Sequence, residues 1–218
     1  MKKRRNIILS VLVLFPLVFS GCANSSQSPP DAASHSSNDS YTSEDGLPPL
    51  EDDLKQLYQD AEAIYLKISF GNFQCDTNQA LENYGFVFYK VDEDNFDLYD
   101  SFKTYLSNYF SQDFISGKIL APGDSRFMES EDGALYMLDA GRGSNISYAG
   151  RVFHSVERSE NEITFTATAY YANSEEGYED EIFFTEPENI SDFSTEDFFF
   201  TMVKEGGSWK FDQFFCFF

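Results

Sequence analysis

The sequence predicts an α+β domain, with N-terminal helices packed on one face of a curved antiparallel sheet. Three observations carry this. Leu54, Leu57, Tyr58, Ala61, Ile64, Tyr65 and Ile68 recur in steps of three and four, the helical period. From Glu162 to Tyr171, Ile163, Phe165, Ala167, Ala169 and Tyr171 alternate with Thr164, Thr166 and Thr168, the period of a half-buried strand. Near the end, Glu205-Gly206-Gly207-Ser208 separates two aromatic runs, a hairpin signal. Helices first and strands after is the order of an α+β fold.

The chain opens with Lys2, Lys3, Arg4 and Arg5, an apolar run from Ile7 to Phe19, and Ser20-Gly21-Cys22. A basic start, a short apolar stretch and a small-residue cleavage site describe a secretory signal. Pro16 interrupts the run, which falls short of the roughly 20 apolar residues of a membrane span. Gly21-Cys22 resembles the bacterial lipobox, with Phe19 where Leu is usual. That resemblance implies cleavage after residue 21 and a lipid on Cys22, which would hold the protein on the extracytoplasmic face of the cell membrane. Residues 22–46 are rich in Ser, Asn, Asp and Pro with Tyr41 as the only aromatic, so they are expected to be a disordered linker. Such a tether of roughly 24 residues reaches about 25–30 Å. Residues 47–218 then form a single domain.

Within the domain, Pro48-Pro49 and the early acids set the start of a helix over about 49–69, stopped by Gly71-Asn72, because acids favour a helix N-terminus. Residues 85–91 form a strand by aromatic and β-branched content. Asp92 to Asn95 is a turn; Phe96 stands where an EF-hand ligand should be, which argues against calcium. A second helix opens at Tyr99, with Asp100 or Ser101 as cap and Phe102, Tyr105, Leu106 and Tyr109-Phe110 on one face. A short turn follows from Ser111 to about Gly117. Phe127-Met128 and Ala134 to Leu138 read as short strands. Asp139 to Asn145 is a Gly-rich loop that opens no helix, so a phosphate cradle fails on context. Strands follow over 152–156 and 162–171. Ser174 to Asp197 holds ten acids and no base and reads as a long acidic excursion. Strands over 198–204 and 209–217 close the chain.

The chain carries 15 basic and 37 acidic residues. Loss of residues 1–21 removes four of the bases and leaves a net charge near −26. Nucleic acid is excluded as a partner, since phosphate binding needs basic clusters, and membrane contact is expected through the anchor only. A basic protein partner would be steered in. Of the 24 Phe and 13 Tyr, many must form a core, and the terminal Phe214 to Phe218 run can cover an edge or an interface. Besides Cys22, the thiols are Cys75 and Cys216. Outside the cytoplasm they either pair or stay as two small buried residues.

Nothing assembles a catalytic set. His154 is the only histidine of the domain and reads as a half-buried strand residue. Neither Cys75 nor Cys216 has the flanks of a catalytic thiol, no G-x-S-x-G or HExxH occurs, and no carboxylate pair stands out. The expectation is a protein that is not an enzyme and holds no cofactor or metal.

Phe88-Tyr89-Lys90-Val91, Leu106 with Tyr109-Phe110-Ser111, Asp132-Gly133-Ala134-Leu135-Tyr136, Arg142 to Tyr148, and Gly207-Ser208-Trp209-Lys210-Phe211 fall in this order. Together they resemble the DL-endopeptidase inhibitor family of Gram-positive bacteria, over about residues 50–214. Gly-x-Trp-Lys hairpins also end many nuclear transport factor 2-like and cystatin-like domains. The acidic excursion and the aromatic tail depart from the family pattern. The resemblance implies a cystatin-like cone and a non-enzymatic surface protein. Such a protein would block papain-like cysteine endopeptidases of the cell wall by occupying the cleft. On that reading the loop from Asp139 to Tyr148 is the candidate contact, through Asp139, Arg142, Asn145 and Tyr148. Arg142 would there be the one cation in a negative field, able to pair bidentately with a carboxylate. Alternatively, Gly141 and Gly143 merely turn the chain and Arg142 holds an internal carboxylate. The competing class is a cystatin-like or transport-factor-like module that binds a small ligand or another envelope protein. A deep apolar cavity beneath the first helix would favour that class; a filled cone with a protruding acidic rim would favour the inhibitor.

Overall fold

The computed structural model describes residues 45–218 except Asp124, Arg142, Glu175 and Phe218. The signal segment, Cys22 and most of the linker therefore lie outside the described residues. The fold is α+β, with eight strands divided between two four-stranded antiparallel sheets.

Helix α1 spans Asp52–Phe70 and buries Leu54, Tyr58, Ala61, Ile64 and Ile68, the face expected from the sequence. It starts three residues later than expected, with Glu51 extended as N-cap. Asp52 and Asp53 sit in its first turn, where they complement the helix dipole. Gly71 ends it at φ +69°, and Asn72 N–H donates to the Lys67 carbonyl at 3.0 Å, a left-handed cap that glycine adopts at little cost.

The first sheet runs β1-β2-β4-β3, with β1 at Cys75–Asn83, β2 at Phe86–Val91, β3 at Phe127–Glu129 and β4 at Leu135–Leu138. Strand β1 was not expected. Its ladder to β2 slips between Asp76 and Ala80. There the Asp76 carboxylate accepts from Asn78 N–H at 2.9 Å and from the Gln79 amide at 2.7 Å, a local turn that hides the strand in the sequence. Tyr84 and Gly85 join β1 to β2, both with positive φ, as a two-residue type I′ turn requires.

Helix α2, Tyr99–Leu106, buries Phe102 and Leu106. Its N-cap is Leu98, not Asp100 or Ser101; Ser101 Oγ lies one turn on and accepts from Leu98 N–H at 3.2 Å. Ser111 caps α3, Gln112–Phe114, by accepting from Phe114 N–H at 3.0 Å. The chain then widens into a π-helical turn over Ile115–Ile119 that runs past Gly117. Phe110 bridges Phe211 in parallel, which ties this segment to the last strand.

The second sheet is a meander, β5-β6-β7-β8, with β5 at Tyr148–Arg158, β6 at Glu162–Ala172, β7 at Phe193–Glu205 and β8 at Ser208–Gln213. Strand β6 pairs with β7 along its whole length, unbroken from Glu162↔Val203 to Ala172↔Phe193. Strand β8 stops at Gln213, so residues 214–217 are not the strand end that was expected. They turn inward, and Phe214 and Phe217 are buried.

The inner face of this sheet packs on α1. Tyr58 is fully buried there, with ring centroids 5.5 Å from Phe153, 6.0 Å from Phe200, 6.1 Å from Phe211 and 5.5 Å from Phe214. Phe165 and Phe200 stack at 4.9 Å. Beyond the area they remove from water, such ring pairs contribute about 0.5–1.5 kcal/mol each. The space beneath α1 is filled by these rings. Arg151 of β5 crosses this core at its edge. It forms an ion pair with Glu62 of α1 at 2.5 Å, donates to the Gly46 carbonyl at 3.2 Å, and lies 4.9 Å from the Phe217 ring. Tyr58 Oη donates to the same Glu62 at 3.1 Å. Burial would lower the Arg151 pKa, but Tyr58 and Glu62 outweigh it and the guanidinium stays charged.

Candidate functional site

The Gly-rich loop leaves β4 at Asp139 and returns at β5. Its first residue is fixed by Asp139 N–H donating to the Val87 carbonyl at 3.1 Å. At the far end Asn145 folds an Asx turn, its side-chain oxygen accepting from Ser147 N–H at 3.0 Å, a usual role for Asn in turns. Asp139 and Asn145 are exposed. Arg142 lies outside the described residues. Tyr148 is only 7% exposed, against Tyr171 and Phe217, which leaves little of its ring to meet a partner. Burial pushes its phenol up to about 12. It is the first residue of β5, whose opening stretch Tyr148 to Phe153 is buried throughout.

The reason is the acidic excursion. It does not stand away from the domain. Phe183 joins the edge of β5: its N–H donates to the Ala149 carbonyl, and its carbonyl accepts from Arg151 N–H, both at 3.1 Å. A Cβ on Gly150 would come within 2.2 Å of the Phe183 carbonyl oxygen, so only glycine admits this approach. Beneath the excursion Tyr170, Tyr178, Phe183 and Phe193 pack as rings, with Phe183 centred 5.4 Å from Tyr170 and 5.3 Å from Phe193. The excursion also holds the loop, since Tyr178 N–H donates to the Ile146 carbonyl at 2.9 Å.

Loop and excursion therefore make one face. Ile146 is 66% exposed at the β5 end of the loop, and Ile182 and Ile190 are exposed on the excursion. The excursion also exposes Glu176, Glu179, Asp180, Glu181 and Glu188. Exposed isoleucines and carboxylates on these two joined segments suit a partner with apolar surface and basic charge. Sequence reasoning missed Ile146, Ile182 and Phe183. The available signal was the pair of aromatics Phe183-Phe184 inside a run otherwise read as solvated.

The other candidates fall apart. Cys75 and Cys216 are thiols and do not form a bridge. Cys75 opens β1, and burial together with the Glu93, Asp139 and Asp92 carboxylates raises its pKa, which leaves it a poor nucleophile. The Cys216 thiol lies 3.5 Å from Ser69 Oγ. His154 is half-buried in β5, 2.7 Å from Thr168 Oγ1, which donates to Asp197 at 2.6 Å. Glu93, in the turn considered for calcium, accepts from Gln74 N–H at 2.8 Å and pairs with Lys67 at 2.7 Å.

No helix among the described residues is long and apolar enough to cross a membrane. No curated protein matches the chain. The family model described as IseA DL-endopeptidase inhibitor matches residues 49–215, which takes in α1, both sheets, the loop, the excursion and the first residues of the tail. The chain belongs to the IseA DL-endopeptidase inhibitor family, which supports an inhibitor of DL-endopeptidases and is consistent with a protein that is not an enzyme.

Proposed function

We propose that this protein is a surface lipoprotein, anchored through Cys22, that inhibits peptidoglycan DL-endopeptidases by seating the face around Ile146 across the catalytic cleft. The observation that carries this reading is that the Asp139–Ser147 loop and the acidic excursion are joined by a hydrogen bond at Ile146, whose side chain is exposed. The target is a papain-like enzyme with basic residues around its cleft, steered in by the net negative charge of this chain. Physical exclusion of substrate is sufficient, and no chemistry by the inhibitor is needed. The filled space around Tyr58 speaks against the alternative of a ligand module with a deep pocket beneath α1.

The test is inhibition of a purified DL-endopeptidase by the mature chain, compared with Ile146→Asp. Loss of a central apolar anchor should weaken inhibition by about tenfold or more. Association should also slow as salt rises. Full inhibition by the variant, with no salt effect, would remove this face from the mechanism. The anchor has its own test: labelled fatty acid should be incorporated into the wild-type chain and not into Cys22→Ala.

A further inference from the structure

At the C-terminal end of α1 the structure holds a second recess, away from the exposed isoleucines. Tyr65 and Ser69 of α1, Lys118 of the π-helical turn, and Arg126 just before β3 line it, closed by apolar Ile119 and Phe127. Its volume is about 210 Å³, the liquid share of roughly seven waters and the scale of one amino-acid residue.

Its charge is opposite to that of the molecule. The chain has 37 acids against 15 bases, yet among the described residues this recess is lined by two cations and no carboxylate. Among the described residues neither Lys118 nor Arg126 takes part in an ion pair. Arg126 Nη1 is buried and donates to nothing. A buried donor left unmade costs about 1–3 kcal/mol, and more when charged, so such a group marks a place where an acceptor belongs. A guanidinium that served only to cap α1 would donate to the last helix carbonyls. Arg126 Nη1 does not, although it would lie only 3.0 Å from a Cβ on the cap residue Gly71. The Ser69 hydroxyl, whose oxygen lies 3.5 Å from the Cys216 thiol, has a proton to give.

The recess also has a neighbour. Tyr65 and Lys118 line a second hollow, which carries Asp113 and Asp212 along with the rings of Phe114, Phe214 and Phe215. One side thus offers cations, and the other offers carboxylates on an aromatic wall. An ammonium suits the second side both by charge and by cation–π contact.

We propose that Arg126 and Lys118 form a carboxylate site, and that its ligand is an amino acid or short peptide. The free carboxylate lies between the guanidinium and the ammonium of the recess, and the ligand's own ammonium reaches toward Asp113 and Asp212. The planar fork of arginine matches a carboxylate bidentately. This site is independent of the inhibitory face and stands whether or not that face meets an endopeptidase.

Calorimetric titration of the full mature chain tests it, with alanyllysine as the zwitterionic probe. Alaninamide, which lacks the carboxylate, and inorganic phosphate are the controls. Alanyllysine should bind, alaninamide should not, and phosphate should bind more weakly than the peptide. Arg126→Gln and Lys118→Gln should each weaken alanyllysine by about tenfold or more, the worth of one charge-assisted hydrogen bond. Lys118 is exposed, so its variant keeps the wild-type melting temperature and decides the matter if Arg126→Gln misfolds. No binding of alanyllysine, binding unchanged in Lys118→Gln, or phosphate bound more tightly than the peptide would each overturn the assignment.

Discussion

The two sheets of this molecule are built from the same number of strands, and they are stabilised differently. The β5–β8 sheet lays Phe153, Phe165, Phe200 and Phe211 against Tyr58 of α1, and all five are buried. The β1–β4 sheet gives Val91, Phe127, Leu135 and Met137 to that same core, while its other side carries a small cluster of Phe88, Ala134 and Tyr136. Strand β1 buries no residue fully, and its turn leaves Tyr84 95% exposed. One sheet is the wall of a saturated aromatic core; the other is half wall and half surface. The densest ring packing therefore lies under α1, and the proposed contact face joins the same sheet through Gly150, Phe183 and Tyr170.

Replacing Tyr58 by Ala should have the largest effect, since it removes the ring at the centre of the helix–sheet contact. We expect a loss of about 3–5 kcal/mol by denaturant unfolding. Phe88→Ala, in the small cluster, should cost about 3 kcal/mol or less, because a site bordering water can collapse. Equal losses at the two positions would break the distinction between the sheets.

Arg151 carries a similar asymmetry. Arg151→Met leaves the half-buried Glu62 beside Tyr58 without its partner, at a cost of about 3 kcal/mol. Adding Glu62→Leu should restore most of the stability, because the uncompensated charge goes with it. A double variant as unstable as the single one would show that packing of the guanidinium on Phe217 and Phe153, not charge, is what matters.

Alkaline pH probes the same wall more gently. Burial pushes Tyr148 and Tyr171 up to about 12, above the ordinary phenol value near 10. A raised pKa means the native state holds its proton more tightly than the unfolded chain. Its stabilising effect is complete below about pH 10 and is lost as pH rises toward about 12. Chemical denaturation at a series of pH values should show that decline, shallower in Tyr148→Phe. An identical decline in the variant would assign the loss to other groups.

The smallest effect should come from Lys55→Met, which removes the surface pair with Asp45 at 3.2 Å. Exposed pairs contribute about 0–1 kcal/mol, so the unfolding midpoint should barely move. A loss as large as that of Phe88→Ala would mean that the chain entering α1 at Asp45 is held far more firmly than its exposure implies.

These contrasts track what could be read along the chain. Strand β6 was legible because one of its faces is dry and the other is wet, so its alternation survives in the sequence. The first half of β5 was not, since the core covers one face and Phe183 with Tyr170 covers the other; a strand buried on both sides loses its period. Tyr148 was taken for a surface residue for that same reason. Of the candidate face, the loop was visible through Gly141, Gly143 and Asn145, while its bond to the excursion was not.

By itself the sequence determined the period of α1, the β7–β8 hairpin, the α+β order, the acidic charge and the family motifs, because each is carried by near neighbours in the chain. Only the tertiary structure decided that β1 is a strand, that Cys75 and Cys216 remain thiols, that the acidic run is stitched to β5, and that Arg126 Nη1 meets no acceptor among the described residues. Those outcomes depend on residues distant in sequence meeting in space, and no local pattern of residue types encodes such a meeting.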